Sequence, residues 1–120
     1  MNTLLRPRTV VAALLLALAS SSAMAATSEV QHNPGAADGP DGFRKFIAFL
    51  REKFPNSHSE IKRSFVDGDY VILHVHAVRE PGTRGNAIID IFKLEDGKIV
   101  EHWDVVQPIP ENPANSNTMF

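Results

Sequence analysis

The stretch Tyr70–Gln107, YVILHVHAVREPGTRGNAIIDIFKLEDGKIVEHWDVVQ, decides how this chain folds. It reads as three successive strands, and nearly every side chain able to do chemistry lies on them. Tyr70 to Arg79 is β-branched and apolar, with His74 and His76 set two apart. Asn86 to Leu94 repeats the apolar pattern around one acid, Asp90, and Lys98 to Val106 repeats it around His102 and Asp104. Strand side chains alternate between faces, so His74 and His76 share a face with Tyr70, Ile72 and Val78, while Val71, Leu73, Val75 and Ala77 share the other. Asp90 falls with Ile88 and Phe92, and His102 and Asp104 fall with Val100 and Val106.

The turn Leu94-Glu95-Asp96-Gly97-Lys98 sets the register of the last two strands. A two-residue Asp-Gly turn places Asp90 opposite Trp103, whereas a three-residue turn with Gly97 left-handed places it opposite His102. The second is the expected register, because it gathers the polar groups, which are costly to bury singly, on one side. Ile89, Ile91, Ile99, Trp103 and Val105 then take the other side.

Upstream, Phe43, Phe46, Ile47, Leu50 and Phe54 are spaced as the apolar stripe of an amphipathic helix. Asp38 or Asp41 is placed to cap its start, and Pro55 ends it, since the residue before proline avoids helical geometry. Ser59 to Val66 is a mostly polar strand joined to Tyr70 through Asp67-Gly68-Asp69. Residues 26–41, rich in Gly, Ala, Asn, Pro and Asp, read as an irregular lead-in. The tail after Gln107, with Pro108, Pro110 and Pro113, cannot extend a sheet. The expected architecture is one helix followed by a four-stranded antiparallel meander, an α+β fold.

At 120 residues and 43% hydrophobic content the chain makes one domain. Its net charge of −2, with basic residues scattered, excludes the electrostatic footprint of a nucleic-acid binder, and the lack of cysteine excludes disulfides and thiolate chemistry. Residues 1–25 stand apart. Arg6 and Arg8 precede an apolar run from Val10 to Ala19, then Ala23-Met24-Ala25, the pattern of a cleavable Sec-type signal peptide. The run is shorter than the roughly 20 residues that span a bilayer. The domain is then 26–120, periplasmic or secreted and free of the membrane after cleavage.

The run QHNP, the amphipathic helix, then HVHA, IDIF, EDGKIVEHWDVVQP and the NTMF ending resemble, in that order, the SnoaL-like polyketide cyclases of the nuclear transport factor 2-like superfamily. The resemblance spans Gln31 to Phe120. It implies a cystatin-like cone, a curved antiparallel sheet packed on helix with a pocket in the concave side. It also implies ring closure by aldol condensation on a small apolar carbonyl compound, without metal or other cofactor, with an aspartate as general acid/base and a histidine beside it. On the matching strands these are Asp90 and His76. His32, His74, His102, Trp103, Asp104 and Gln107 are expected to line the pocket. Relatives carry additional helix before QHNP, where this chain has its signal-like segment.

Three readings stand beside each other. Asp90 is a base in an apolar pocket, or simply a carboxylate paired with His102 or His76. The same cone also carries non-catalytic binders of small apolar ligands. Finally, His74, His76 and Glu80 match half of a cupin metal motif, but the second half is absent, so no metal is expected. One helix cannot cover both faces of a four-stranded sheet, so a face with Val71, Leu73, Val75, Ile89, Ile91 and Val105 is expected to be covered by a second copy in a homodimer. If the signal reading holds, intact mass spectrometry of exported protein finds a chain starting at Ala26; a membrane-bound chain retaining Met1 overturns it.

Overall fold

The computed structural model describes residues 25–120. The expected signal segment 1–25 therefore lies outside the described residues except for Ala25. Five strands and one helix follow in the order β1 (Ala25–Gln31), α1 (Gly39–Lys53), β2 (His58–Asp67), β3 (Tyr70–Val78), β4 (Asn86–Glu95) and β5 (Lys98–Pro108). The sheet order is β1-β5-β4-β3-β2. The expected meander β2 to β5 is present, antiparallel throughout. The lead-in segment departs from expectation: β1 pairs in parallel with β5, Gln31 beside His102, so the sheet is mixed. A parallel pair cannot be joined by a hairpin, and here the connection from β1 to β5 runs through α1, which leads from one edge of the sheet to β2 at the other, and then back along β2, β3 and β4. Short-range pattern hides such a strand, whose partner lies about seventy residues away in sequence.

Both helix boundaries follow the local chemistry. Pro40 sits in the first turn, where its missing N–H costs nothing, and Phe54 closes the last turn by donating its N–H to the Leu50 carbonyl, just before Pro55. Asp38 occupies the N-cap position without capping by its side chain; its Oδ1 accepts the Gln31 N–H at 2.8 Å and so ties the helix start to the end of β1.

The turn between β4 and β5 is the two-residue form. Asp96 and Gly97 both have positive φ, 51° and 74°, and Glu95 faces Lys98, which corrects the expected three-residue turn. That turn alone would set Asp90 opposite Trp103, on the wrong face. A bulge intervenes: the register shifts by one between Leu94↔Ile99 and Lys93↔Glu101, leaving Val100 unpaired. Phe92 then faces His102, and Asp90 faces Asp104 rather than His102. The extra residue restores the parity that gathers Asp90, His102 and Asp104 on one face.

That face is the concave one. Leu73 pairs with Asp90, so Val71, Leu73, Val75 and Ala77 point the same way as the acid, and with Ile88, Phe92 and Ile99 they form the buried core. Burying each of the Val, Leu, Ile and Phe side chains among them contributes roughly 1.5–3 kcal/mol. Phe43 of α1 packs against this core, while Phe46, Ile47 and Leu50 face the sheet across a cavity. The face expected to seek a partner does not exist as one surface. Val71, Leu73 and Val75 are buried in the concave core, whereas Ile89, Ile91 and Val105 lie on the convex side with His74 and His76. Val105 is 70% exposed and Phe65, on the same convex side, 57%.

Gly85, just before β4, has φ +77° and sits so close to β3 that a Cβ would lie 2.3 Å from the Ala77 carbonyl oxygen. Both the left-handed backbone and the contact exclude a side chain. Gly85→Ala is expected to lower stability by about 1–3 kcal/mol or more, measured by urea unfolding; an unchanged midpoint would show that this approach is not needed.

Candidate active site

The concave face and α1 enclose a cavity of about 400 Å³. This lies within the range of roughly 300–1,000 Å³ typical of small-molecule sites. Its walls are mostly apolar, with Val75, Ile88 and Phe92 from the sheet and Phe46, Ile47 and Leu50 from the helix. Among them stand Glu29, Gln31, Asn33, Arg79, Asp90, His102 and Asp104.

Four of these polar groups form one chain of hydrogen bonds. Gln31 Nε2 donates to Glu29 Oε1 at 2.8 Å, its Oε1 lies 2.9 Å from His102 Nδ1, and His102 Nε2 lies 2.9 Å from Asp90 Oδ1. The amide fixes the imidazole's protonation pattern. An amide oxygen only accepts, so His102 Nδ1 carries a hydrogen. Between Nε2 and Asp90 there must then be one proton, either on the ring, making an imidazolium against a carboxylate, or on the acid. His102 also stacks on Phe92, with ring centroids 4.6 Å apart, which holds the plane of the ring. Asp90 and His102 are both largely shielded, with side-chain exposures of 18% and 13%. Among the described residues no second donor reaches Asp90, so its Oδ2 remains to meet a ligand.

Asp104 flanks the pair and accepts a hydrogen bond from Asn33 Nδ2 at 2.6 Å. Glu29 is 4% exposed, and burial raises its pKa above the ordinary value; the Gln31 hydrogen bond and the charge of His102 oppose that rise, and Asp38 adds to it. At Arg79 burial lowers the pKa, against the favourable charge of Asp90. Asp90, His102 and Asp104 could together hold a metal ion, since one ligand atom from each lies within 4.8 Å of the others. An ion there would have to replace one of the two hydrogen bonds that engage His102.

The structure thus brings Asp90, His102 and Asp104 of the expected set together and leaves the others apart. His76 lies on the convex face: its Nε2 meets the Arg84 carbonyl oxygen at 2.8 Å, and its ring stands against Phe120. His74 stands against the same phenyl ring. They are separated from Asp90 by the sheet because their even-numbered positions on β3 face away from Leu73, its pairing partner. His32 and Trp103 stack on each other at 4.8 Å on that outer side, with His32 also paired to Glu101. Gln107, odd-numbered on β5 like Trp103, is exposed and outside the cavity. Glu29, Gln31, Asn33 and Arg79 were not anticipated as site residues. The alternation Glu29, Gln31, Asn33, running into QHNP, is the strand-spaced signal that could have found the first three, but the groups that Gln31 and Asn33 meet are on β5.

Among the described residues, a curved sheet with one helix across its hollow, holding an acid–imidazole pair inside a mostly apolar cavity, defines a cone of the nuclear transport factor 2-like kind. The family model described as the SnoaL-like domain matches residues 18–102, and the chain belongs to that family. Among solved structures, wild-type IdmH of Streptomyces antibioticus, a candidate polyketide cyclase, superposes with TM-score 0.65 at 22% identity, over 85% of this chain and 92% of its own. A candidate isomerase of the SnoaL-like family from Agrobacterium tumefaciens gives 0.67 at 17% identity, covering 84% and 97%. A candidate polyketide cyclase from Bacillus cereus gives 0.57 at 29% identity, covering 67% and 56%. No curated protein matches the chain.

Because the pKa of Glu29 is raised in the folded state, its charged form opposes folding. That cost is absent at pH values below the ordinary carboxylate range and grows as pH rises through and beyond it. Glu29→Gln, which keeps the shape and can still bond Gln31, is therefore expected to raise Tm by a few degrees near about pH 8 and to change it little near about pH 4. Thermal melts across that range check this; a loss of Tm at the higher pH would contradict it.

Proposed function

We propose that this chain is a SnoaL-like enzyme that catalyses proton transfer at a small apolar carbonyl compound, of the aldol cyclase or isomerase type, using its own side chains as acid and base. The observation that carries the reading is the Asp90–His102 pair at 2.9 Å, set in a mainly apolar cavity. His102, not His76, is the imidazole partner, since only His102 shares the cavity with Asp90.

In this reading the substrate carbonyl lies within the cavity with its α-carbon at Asp90 Oδ2. Asp90 takes the α-proton, and the C–H electron pair moves into the carbonyl to give an enolate. The enolate carbon then attacks a second carbonyl in the same molecule, and the alkoxide formed takes up the proton from Asp90. Returning that proton to a different carbon would be isomerisation instead. His102 holds Asp90 in place and balances its charge, Gln31 and Phe92 hold His102, and the apolar walls exclude water from the enolate.

A second reading is a binder without turnover. Phe46, Ile47 and Leu50 of α1 remain partly exposed, so the hollow is closed on that side less than a buried core would be. We further place the protein outside the cytoplasm, on the strength of the signal-like segment. We also propose a homodimer whose contact is the convex face, where Phe65, Ile89 and Val105 are exposed.

Asp90→Asn keeps the side-chain shape and removes the basic oxygen. It is expected to reduce turnover of a small-ketone substrate by about a hundredfold or more while ligand binding stays close to that of the parent. His102→Gln should also cut turnover, and His76→Gln should not. Product analysis by mass spectrometry with ketone libraries reads these outcomes. Full turnover by Asp90→Asn removes the mechanism, and a parent that binds ketones but converts none establishes the binder.

A further inference from the structure

Arg79 is the cation of the cavity that the proton-transfer reading leaves without a task. The three acids in the lining each have a partner: Asp90 has His102, Asp104 has Asn33 and Glu29 has Gln31. Among the described residues every ion pair goes to another cation, to His32, Arg44, Lys62, Lys93 or His102, and none to Arg79. A guanidinium cannot shed its charge at any working pH, and Arg79 is half-buried with only the charge of Asp90 acting on it and no direct ion pair, a cost in stability that a bound anion would offset.

Its position along the sheet defines what that anion belongs to. Arg79 follows directly on β3, with the parity of Leu73, Val75 and Ala77, so it continues the concave face. Asp90 pairs with Leu73, six residues back along the strand. The strand positions of the acid–base pair and of the cation therefore lie at different levels of the sheet, with the Val75–Ile88 level between them, while the charge of Asp90 still acts on Arg79. The planar fork of a guanidinium matches the two oxygens of a carboxylate.

We infer that Arg79 is a carboxylate-binding residue, and that the pocket takes an apolar oxo acid whose carboxylate pairs with Arg79 while its reacting carbonyl lies at Asp90, an apolar segment separating the two. The inference rests on the proposed function for the carbonyl end; the carboxylate end stands on the cavity alone. Arg79 then fixes which way round the substrate enters, and neutral ketones lacking the acid group are poor ligands.

The test uses binding of an acid with no ketone, so that it does not depend on turnover. The probes are 4-phenylbutyrate and its methyl ester, titrated calorimetrically into the parent, Arg79→Met, Arg79→Lys and Asp90→Asn. The parent is expected to bind the acid about tenfold or more tightly than the ester. Arg79→Met should abolish that preference, Arg79→Lys should keep part of it, and Asp90→Asn should leave it in place. An ester bound as well as the acid by the parent overturns the inference. So does an acid preference that survives in Arg79→Met, or an acid that fails to bind at about millimolar concentration, which marks specific carboxylate recognition as absent. The parent comparison needs no variant, so a misfolded Arg79→Met does not shield the inference. A parent without the acid preference but with ketone turnover would remove the carboxylate assignment and leave the proton-transfer reading standing. The opposite result would separate them the other way.

Discussion

The arrangement of the site depends on one unpaired residue. Side chains on a strand alternate strictly, so the tight Asp96-Gly97 turn would by itself send Asp90 and His102 to opposite faces. The bulge at Val100 adds one residue to β5 and reverses the parity of everything beyond it. Below the bulge, Glu95 and Lys98 close a regular two-residue hairpin; above it, Asp90, His102 and Asp104 all look into the hollow. Bulges also increase local twist, and here the bulge lies beside the cavity that the curved sheet encloses.

Once the parity is set, the remaining polar groups fall into place through β1. That strand pairs with β5 in parallel and sets Gln31 level with His102. Its own alternation then lays Glu29, Gln31 and Asn33 along the rim of the same hollow, so that the amide of Gln31 bridges Glu29 and His102, while Asn33 reaches Asp104. The result is a satisfied polar network against an apolar wall, which rigidifies a site more than isolated polar groups would. Placing Glu29 beside it comes at a cost, because burial disfavours the charged carboxylate.

The convex face shows the opposite use of the same residue types. His74, His76, His32 and Trp103 there take part in ring contacts with Phe120 and with each other, not in a shared cavity. The C-terminal Phe120 lies over the pair His74 and His76, with Lys62 Nζ 5.5 Å from its ring. A histidine pair two apart on one strand is read as a metal or catalytic feature when seen alone; on this sheet it is the seat for the end of the chain.

Several things followed from the sequence by itself because local rules fix them. The spacing of Phe43, Phe46, Ile47 and Leu50 made a helix, Pro55 stopped it, and alternation around Asp90 and His102 made hairpin strands whose polar members belong together. The ordered run from QHNP to NTMF pointed to the family. Other things belonged to the tertiary structure alone. Whether Asp90 met His102 or His76 depended on which strand faces pair, and that turned on Leu73 lying opposite Asp90 and on a bulge that no residue type marks. The roles of Glu29 and Gln31 depended on a parallel pairing between segments about seventy residues apart, and the cavity on α1 crossing the hollow without filling it. Period and propensity act over a few residues; register between distant strands is settled only when the whole sheet closes on its core.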